Sequence, residues 1–267
     1  MSLKSKIKKI FFKRGLLVDD FAELENILQF IERFKKHYIS VDLIRVGGNN
    51  DGGYLLPDIF NDIKYCFSPG VDYTATFEKM ISEKYGIKSF MIDASVESEP
   101  VKDKNFEFEK LYLGSYNTTN VITLKDWINN KLGTEEKNLL LQMDIESSEY
   151  NVLISESIET LKRFSCIIIE FHSTEKLFDK YFLRMMTGIF EKFYKEFSIC
   201  HIHPNNLCGL ETYNGIEIPR TFEVTFLRND YVKKLKNDTP ISLPHKLDQR
   251  NSNKCEDFVM PKIWWEK

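Results

Sequence analysis

Two apolar runs constrain this chain most. Leu139-Leu140-Leu141-Gln142-Met143-Asp144-Ile145 and Cys166-Ile167-Ile168-Ile169-Glu170-Phe171 lack the polar–apolar alternation of a strand with one wet face. Strands apolar on both faces belong in the middle of a parallel sheet covered by helices on both sides. Both runs are far shorter than the roughly 20 apolar residues of a membrane span.

The flanking sequence supplies the rest of such a sheet. Lys64–Ser68, Lys88–Ile92 and Phe106–Leu113 read as strands, with a helix over Thr74–Tyr85. A helix opens near Thr123, where Thr123 and Asp126 have capping-box spacing. A short helix starts near Glu149 and a long one covers Leu177–Tyr194; Phe197–His203 and Glu223–Leu227 close the set as strands. The alternation predicts a doubly wound, mostly parallel sheet. The Pro204–Pro219 connection has no helical pattern, so the last strand is expected to be antiparallel.

Upstream, residues 20–37 place Phe21, Leu24, Ile27, Leu28, Ile31 and Phe34 at helical spacing. The expected organisation is a basic arm and helix over 1–42, a sheet domain over 43–228, and a tail over 229–267 that wraps the surface or covers the site. The arm sets Lys4, Lys6, Lys8, Lys9, Lys13 and Arg14 around Ile7, Ile10, Phe11 and Phe12. It reads either as an amphipathic segment on an anionic membrane or as a solvated leader.

Hydrophobic residues at 42% and charged residues at 29% exclude a disordered chain. A net charge of −3 gives no overall basic excess for nucleic-acid binding. The five cysteines form no CxxC pair, and Cys66, Cys166 and Cys200 sit in strand-like runs. Buried reduced thiols, with no signal-peptide core, predict a cytoplasmic protein.

Open parallel sheets bind ligands beyond the carboxyl ends of their strands. The first strand ends at Ser68-Pro69-Gly70-Val71-Asp72, where glycine permits close backbone approach. The second ends at Asp93, placed to bind ribose hydroxyls or to cap a turn. No GxGxxG fingerprint is present, against a typical NAD enzyme. Further on come Asp144, then Glu170 and His172 on one strand face, then His201 and His203 on another. Mixed carboxylates and imidazoles suit a divalent metal, with Asp144, Glu170, His172, His201 and His203 as candidate ligands. The same residues suit a metal-free base network, with Asp144, His172, His201 and His203 as candidate catalytic groups.

Met143-Asp144-Ile145-Glu146-Ser147-Ser148-Glu149 resembles the acidic D-x-E-G-x-E signature of the FkbM-type family of S-adenosylmethionine-dependent methyltransferases. Asp51-Gly52-Gly53-Tyr54, Ile169-Glu170-Phe171-His172 and His201-Ile202-His203-Pro204-Asn205-Asn206 resemble one branch of that family. Ser147 stands where the signature usually has glycine. The resemblance covers roughly residues 43–228.

It implies a Rossmann-like class I methyltransferase fold: a mostly parallel seven-stranded sheet with an antiparallel last strand, here with an N-terminal helical extension. It also implies methyl transfer from S-adenosylmethionine to oxygen, often on a sugar, as in bacterial capsule or surface-polysaccharide synthesis. Asp51, Gly52, Gly53, Gly70, Asp72, Asp93, Ser115 and Asp144 are then the expected cofactor contacts. A divalent iron, manganese or magnesium ion is the expected second cofactor. The expected acceptor is a sugar or nucleotide sugar, with Asn205, Asn206, Tyr213, Asn214 and Arg220 available to hold it. Nucleic acid and stable membrane insertion are not expected. Two other readings fit the acid–histidine set: a non-haem iron oxygenase, and a carbohydrate- or nucleotide-binding module without turnover.

Overall fold

The computed structural model describes residues 3–266. Met1 and Ser2 of the arm and Lys267 of the tail lie outside the described residues.

Seven strands form the central sheet: β1 (Tyr65–Pro69), β2 (Lys88–Ile92), β3 (Phe106–Glu109), β4 (Leu139–Met143), β5 (Phe164–His172), β6 (Phe197–Pro204) and β7 (Thr221–Arg228). Their spatial order is β6-β7-β5-β4-β1-β2-β3. The first five run parallel, and β7 is antiparallel to both β5 and β6. This is the Rossmann-like methyltransferase arrangement that the family resemblance implies, antiparallel strand included.

The two apolar runs lie centrally, as their composition requires. Every residue of β4 is buried. Leu139, Leu141 and Met143 enter one core, with helices α2 (Leu24–Lys36), α4 (Leu124–Leu132), α5 (Glu149–Ser155), α6 (Ile158–Leu161) and α7 (Lys180–Phe193). Leu140 enters the opposite core, with α3 (Thr76–Tyr85) and the hairpin Ile44–Gly47/Gly53–Leu56. The period-2 geometry of a strand divides one hydrophobic run between two layers. Cys66, Cys166 and Cys200 are buried free thiols in the second layer.

Three segments differ from the sequence reading. The strand expected over Phe106–Leu113 stops at Glu109, where Glu107 and Glu109 both engage Lys131 of α4. Tyr112–Gly114 then leaves the sheet to pair with Val121–Thr123. The helix expected from Leu177 begins at Lys180, because the Asp179 carboxylate accepts the Tyr181 and Phe182 N–H groups as an N-cap. The Pro204–Pro219 loop contains a hairpin, Leu210–Tyr213 with Ile216–Pro219. Its turn residues Asn214 and Gly215 both have positive φ, the Asn-Gly chemistry of a tight hairpin turn. The glycine-rich segment from Arg45 to Tyr54 is likewise a hairpin.

The ends of the chain complete the first core. Phe30 and Phe34 of α2 pack against Phe190 of α7 and against Trp264 from the tail. Trp264 is fully buried and donates its indole N–H to the Glu217 carbonyl at 3.0 Å. In contrast, helix α1 (Leu3–Lys13) buries no residue.

Candidate functional site

The ends of β1, β2 and β4 are tied together by backbone bonds. Asp144 N–H donates to the Pro69 carbonyl at 3.2 Å, and Gly70 N–H to the Ile92 carbonyl at 3.0 Å. A Cβ at Gly70 would stand 1.5 Å from the Asp144 carbonyl oxygen, and φ there is +82°. Glycine is therefore required by the crossing of two chain segments, a demand that exists without any ligand.

The loops beyond these strand ends enclose a cavity of about 790 Å³. Asp51, Gly52, Gly70, Asp72, Asp93, Ser115 and Asp144 all line it, together with Glu170 and His172. Gly53 does not line it: its missing Cβ faces the Gly48 carbonyl and the Arg45 guanidinium inside the hairpin. The size suits a cofactor-sized ligand. Seven carboxylates (Asp51, Asp72, Glu78, Asp93, Asp144, Glu146, Glu170) face the cavity, and among the described residues no Lys or Arg lines it.

Asp93 already accepts three protein donors: the Asp72 N–H at 3.0 Å, the Ser95 N–H at 2.8 Å and the Ser95 hydroxyl at 2.6 Å. A carboxylate offers about four acceptor positions, so one remains for a ligand. Asp93 thus has the turn-capping role that the sequence left open, and it still borders the cavity.

On the cavity floor, Asp144, Glu170 and His172 bring one donor atom each within 4.8 Å of one another. His172 Nε2 lies 3.6 Å from Asp144, 3.6 Å from Glu170 and 3.6 Å from Glu146. Asp144, Glu170 and His172 could together hold one divalent ion among donor atoms this close. The other side of the ring faces Glu149, which with Tyr150 holds the His172 backbone. Buried Glu149 accepts the His172 backbone N–H at 2.8 Å and stands 3.4 Å from Nδ1, while the Tyr150 hydroxyl donates to the His172 carbonyl. Left-handed backbone at Glu146 (φ 52°) and Ser147 (φ 75°) turns the chain so that Glu149 comes back beneath β5.

The charges fit a cation. Burial, and then the Glu170 carboxylate beside it, push the Asp144 carboxyl well above its ordinary range. The Asp144 charge is therefore costly without a cation beside it. Burial draws the His172 pKa down, but the surrounding Glu149, Glu170 and Glu146 carboxylates outweigh it and raise the value above 6.5. Asn205 donates to Glu170 at 2.7 Å and holds that carboxylate in place.

His201 and His203 do not join this cluster. Strand β7 lies between β5 and β6, so Glu223 separates Glu170 from His203 along the row. Two strand spacings of about 4.8 Å intervene. Both histidines instead face Asp248 of the tail, at 2.9 Å for His201 and 3.7 Å for His203. Burial pushes the Asp248 carboxyl up, but its interactions with His201 and His203 outweigh this and hold it below its ordinary value. The sequence reading missed Glu149, Glu223 and Asp248. Glu149 was visible as the last acid of the D-x-E-G-x-E pattern; nothing in the sequence linked Asp248 to β6.

The expected acceptor-binding residues separate in the same way. Asn205 lines the cavity, but Asn206 binds the tail at Ser252 and Cys255. Tyr213 packs on Phe21 and Phe178, and Arg220 faces Glu211 on the surface. The tail does cover part of this edge: Asn251 donates to Glu223 at 2.9 Å, and its carbonyl accepts the Asp51 N–H at 3.1 Å. None of the described tail residues lines the cavity.

Residues 80–196 match the family model described as the methyltransferase FkbM domain. That span runs from α3 past α7 and includes Asp93, Asp144, Glu149, Glu170 and His172. No curated protein matches the chain. Among solved structures, a putative DNA modification methyltransferase from an E. coli prophage is similar at 8% identity and TM-score 0.40, over 70% of this chain and 52% of that one. M. jannaschii TYW2 in complex with AdoMet is similar at 12% identity and TM-score 0.30, over 77% and 78%. A fibrillarin/Nop5p complex gives 8% identity and TM-score 0.36, over 62% and 72%.

Proposed function

We propose that this chain, an FkbM-type S-adenosylmethionine-dependent methyltransferase, delivers the methyl group to a sugar hydroxyl with the help of a divalent cation held by Asp144, Glu170 and His172. The observation that carries the reading is the convergence of these three donor atoms on the floor of the cavity. The resemblance to that family supports a role in capsule or surface-polysaccharide synthesis.

Gly70, Asp72, Asp93, Ser95 and Ser115 form the cofactor side of the cavity, with the free acceptor position of Asp93 toward the ribose. The acidic lining complements the sulfonium and ammonium charges of S-adenosylmethionine. When bound, a divalent cation lowers the proton affinity of an acceptor hydroxyl. Asp144 and Glu170 hold their oxygens toward that position, and Glu149 and Tyr150 hold the His172 backbone from which Nε2 faces it. Methyl transfer from a sulfonium is an in-line displacement, so holding the acceptor oxygen behind the methyl carbon is the main catalytic task.

The absence of Lys and Arg among the described lining residues favours a neutral polyol within the cavity. A nucleotide-linked sugar fits with its phosphates outside. The test incubates the protein and labelled S-adenosylmethionine with separate panels of sugars, nucleotide sugars, catechols, peptides and RNA, before and after chelation. Label is expected in a sugar, lost on chelation and restored by manganese, iron or magnesium. Label only in peptide or RNA overturns the acceptor; full activity after exhaustive chelation overturns the cation and leaves His172 as a direct base.

A further inference from the structure

The geometry points to helix α1 as an in-plane anchor for an anionic membrane surface, a role separate from the methyltransferase site. At 3.6 residues per turn, Leu3, Ile7, Ile10 and Phe11 fall within about 100° of arc. These four side chains are between 38% and 75% exposed, and the helix buries nothing against the body. Lys4 and Lys8 flank the stripe on one side and Lys6 and Lys13 on the other, with Lys9 opposite. Gly15 (φ 77°) then ends the helix, and Leu16 and Leu17 extend the apolar surface.

The charge pattern selects the occupant. Residues 3–14 carry six cationic side chains and no acid. Lys4 and Lys8 reach Asp20 at 2.8 and 3.0 Å, a solvent-exposed tether that competing anions can replace. Among the described residues, Lys6, Lys9, Lys13 and Arg14 form no ion pair. An apolar stripe bordered by lysines matches a bilayer interface, where the stripe enters the acyl boundary and the ammonium groups meet phosphates. A second copy of the helix would instead bring twelve cations together. No helix among the described residues is long and apolar enough to cross a membrane, so the contact is peripheral.

The test uses the full chain with vesicles of phosphatidylcholine alone, or with phosphatidylglycerol added, read by co-sedimentation. Binding is expected to be about tenfold or more stronger on the anionic vesicles and to weaken as salt rises. Ile7→Asp with Phe11→Asp, and separately Lys6→Glu with Lys9→Glu and Lys13→Glu, should return binding to the phosphatidylcholine level. Circular dichroism and cofactor affinity should stay unchanged, since none of these residues lines the cavity. Equal binding to both vesicles, binding to neither, or binding insensitive to these substitutions overturns the proposal. So does a dimer in analytical ultracentrifugation that Ile7→Asp dissolves.

Discussion

Glu149 holds His172 at two points, accepting its backbone N–H at 2.8 Å and standing 3.4 Å from ring Nδ1. One acid at the start of α5 thereby fixes the end of β5 and sets a carboxylate beside its imidazole. The nitrogen left to work is Nε2, which faces Asp144 and Glu170. Carboxylate–histidine pairs of this kind orient metal ligands and raise their basicity.

Glu149→Gln keeps an oxygen for the backbone N–H and removes the charge beside the ring. Metal affinity and kcat are expected to fall about 10- to 100-fold. The His172 pKa should fall as well, because Glu149 is one of the groups that raise it. Metal titration together with a pH–rate profile reads both effects; an unchanged profile would mean that Glu149 only packs.

Protons compete with the cation at this site. His172 and Asp144 both have raised pKa values, and both must lose their protons to act as donors. Metal affinity and activity should therefore fall on acidification, with the imidazole limb above pH 6.5. Asp144→Asn should cost metal affinity by tenfold or more while the chain stays folded, as calorimetric titration at several pH values would show.

The central sheet was legible because β4 and β5 are apolar on both faces, and little else satisfies that pattern. Asp144, Glu170 and His172 were legible for a related reason: polar groups directly after such runs need partners. The error with His201 and His203 came from strand order. Their pattern on β6 says which side chains share a face, but not that β7 inserts between β6 and β5. The Asp179 cap and the Asn214-Gly215 turn were local signals present in the sequence. The contact of Asp248 with β6 reaches back across the hairpin, β7 and the tail, and no periodicity encodes it.

Glu223, in the row between Glu170 and His203, makes stability depend on pH. Burial raises its pKa from 4.5 to about 8, with His203 partly opposing. Folding thus favours the protonated form. That contribution is fully present below pH 4.5 and is lost as pH rises through about 8. Glu223→Gln retains an acceptor for the Asn251 amide, 2.9 Å away, and removes the titration. Wild-type stability should therefore drop by roughly a few kcal/mol relative to the variant between about pH 5 and pH 9. Denaturant melts across that range check it; parallel curves would exclude Glu223 as the titrating group.

Ser147 occupies left-handed backbone at φ 75°, directly after Glu146 at φ 52°. An L side chain there costs about 1–2 kcal/mol, whereas glycine adopts it freely but loses roughly 0.5–1 kcal/mol more chain entropy on folding. The Ser147 hydroxyl offsets little of this cost, since its nearest partner, the Ser173 hydroxyl, is 3.4 Å away. Ser147→Gly should therefore stabilise the protein by up to about 1 kcal/mol, raising Tm by about 2–4 °C. Ser147→Val should do the reverse, because a β-branched side chain tolerates this region least. Thermal melts of the two variants give the sign. The turn also sets Glu146 3.6 Å from His172 Nε2. A glycine variant that gains Tm but loses kcat would show that serine keeps this loop stiff for the site, whereas a loss of Tm would show that the hydroxyl itself holds the turn.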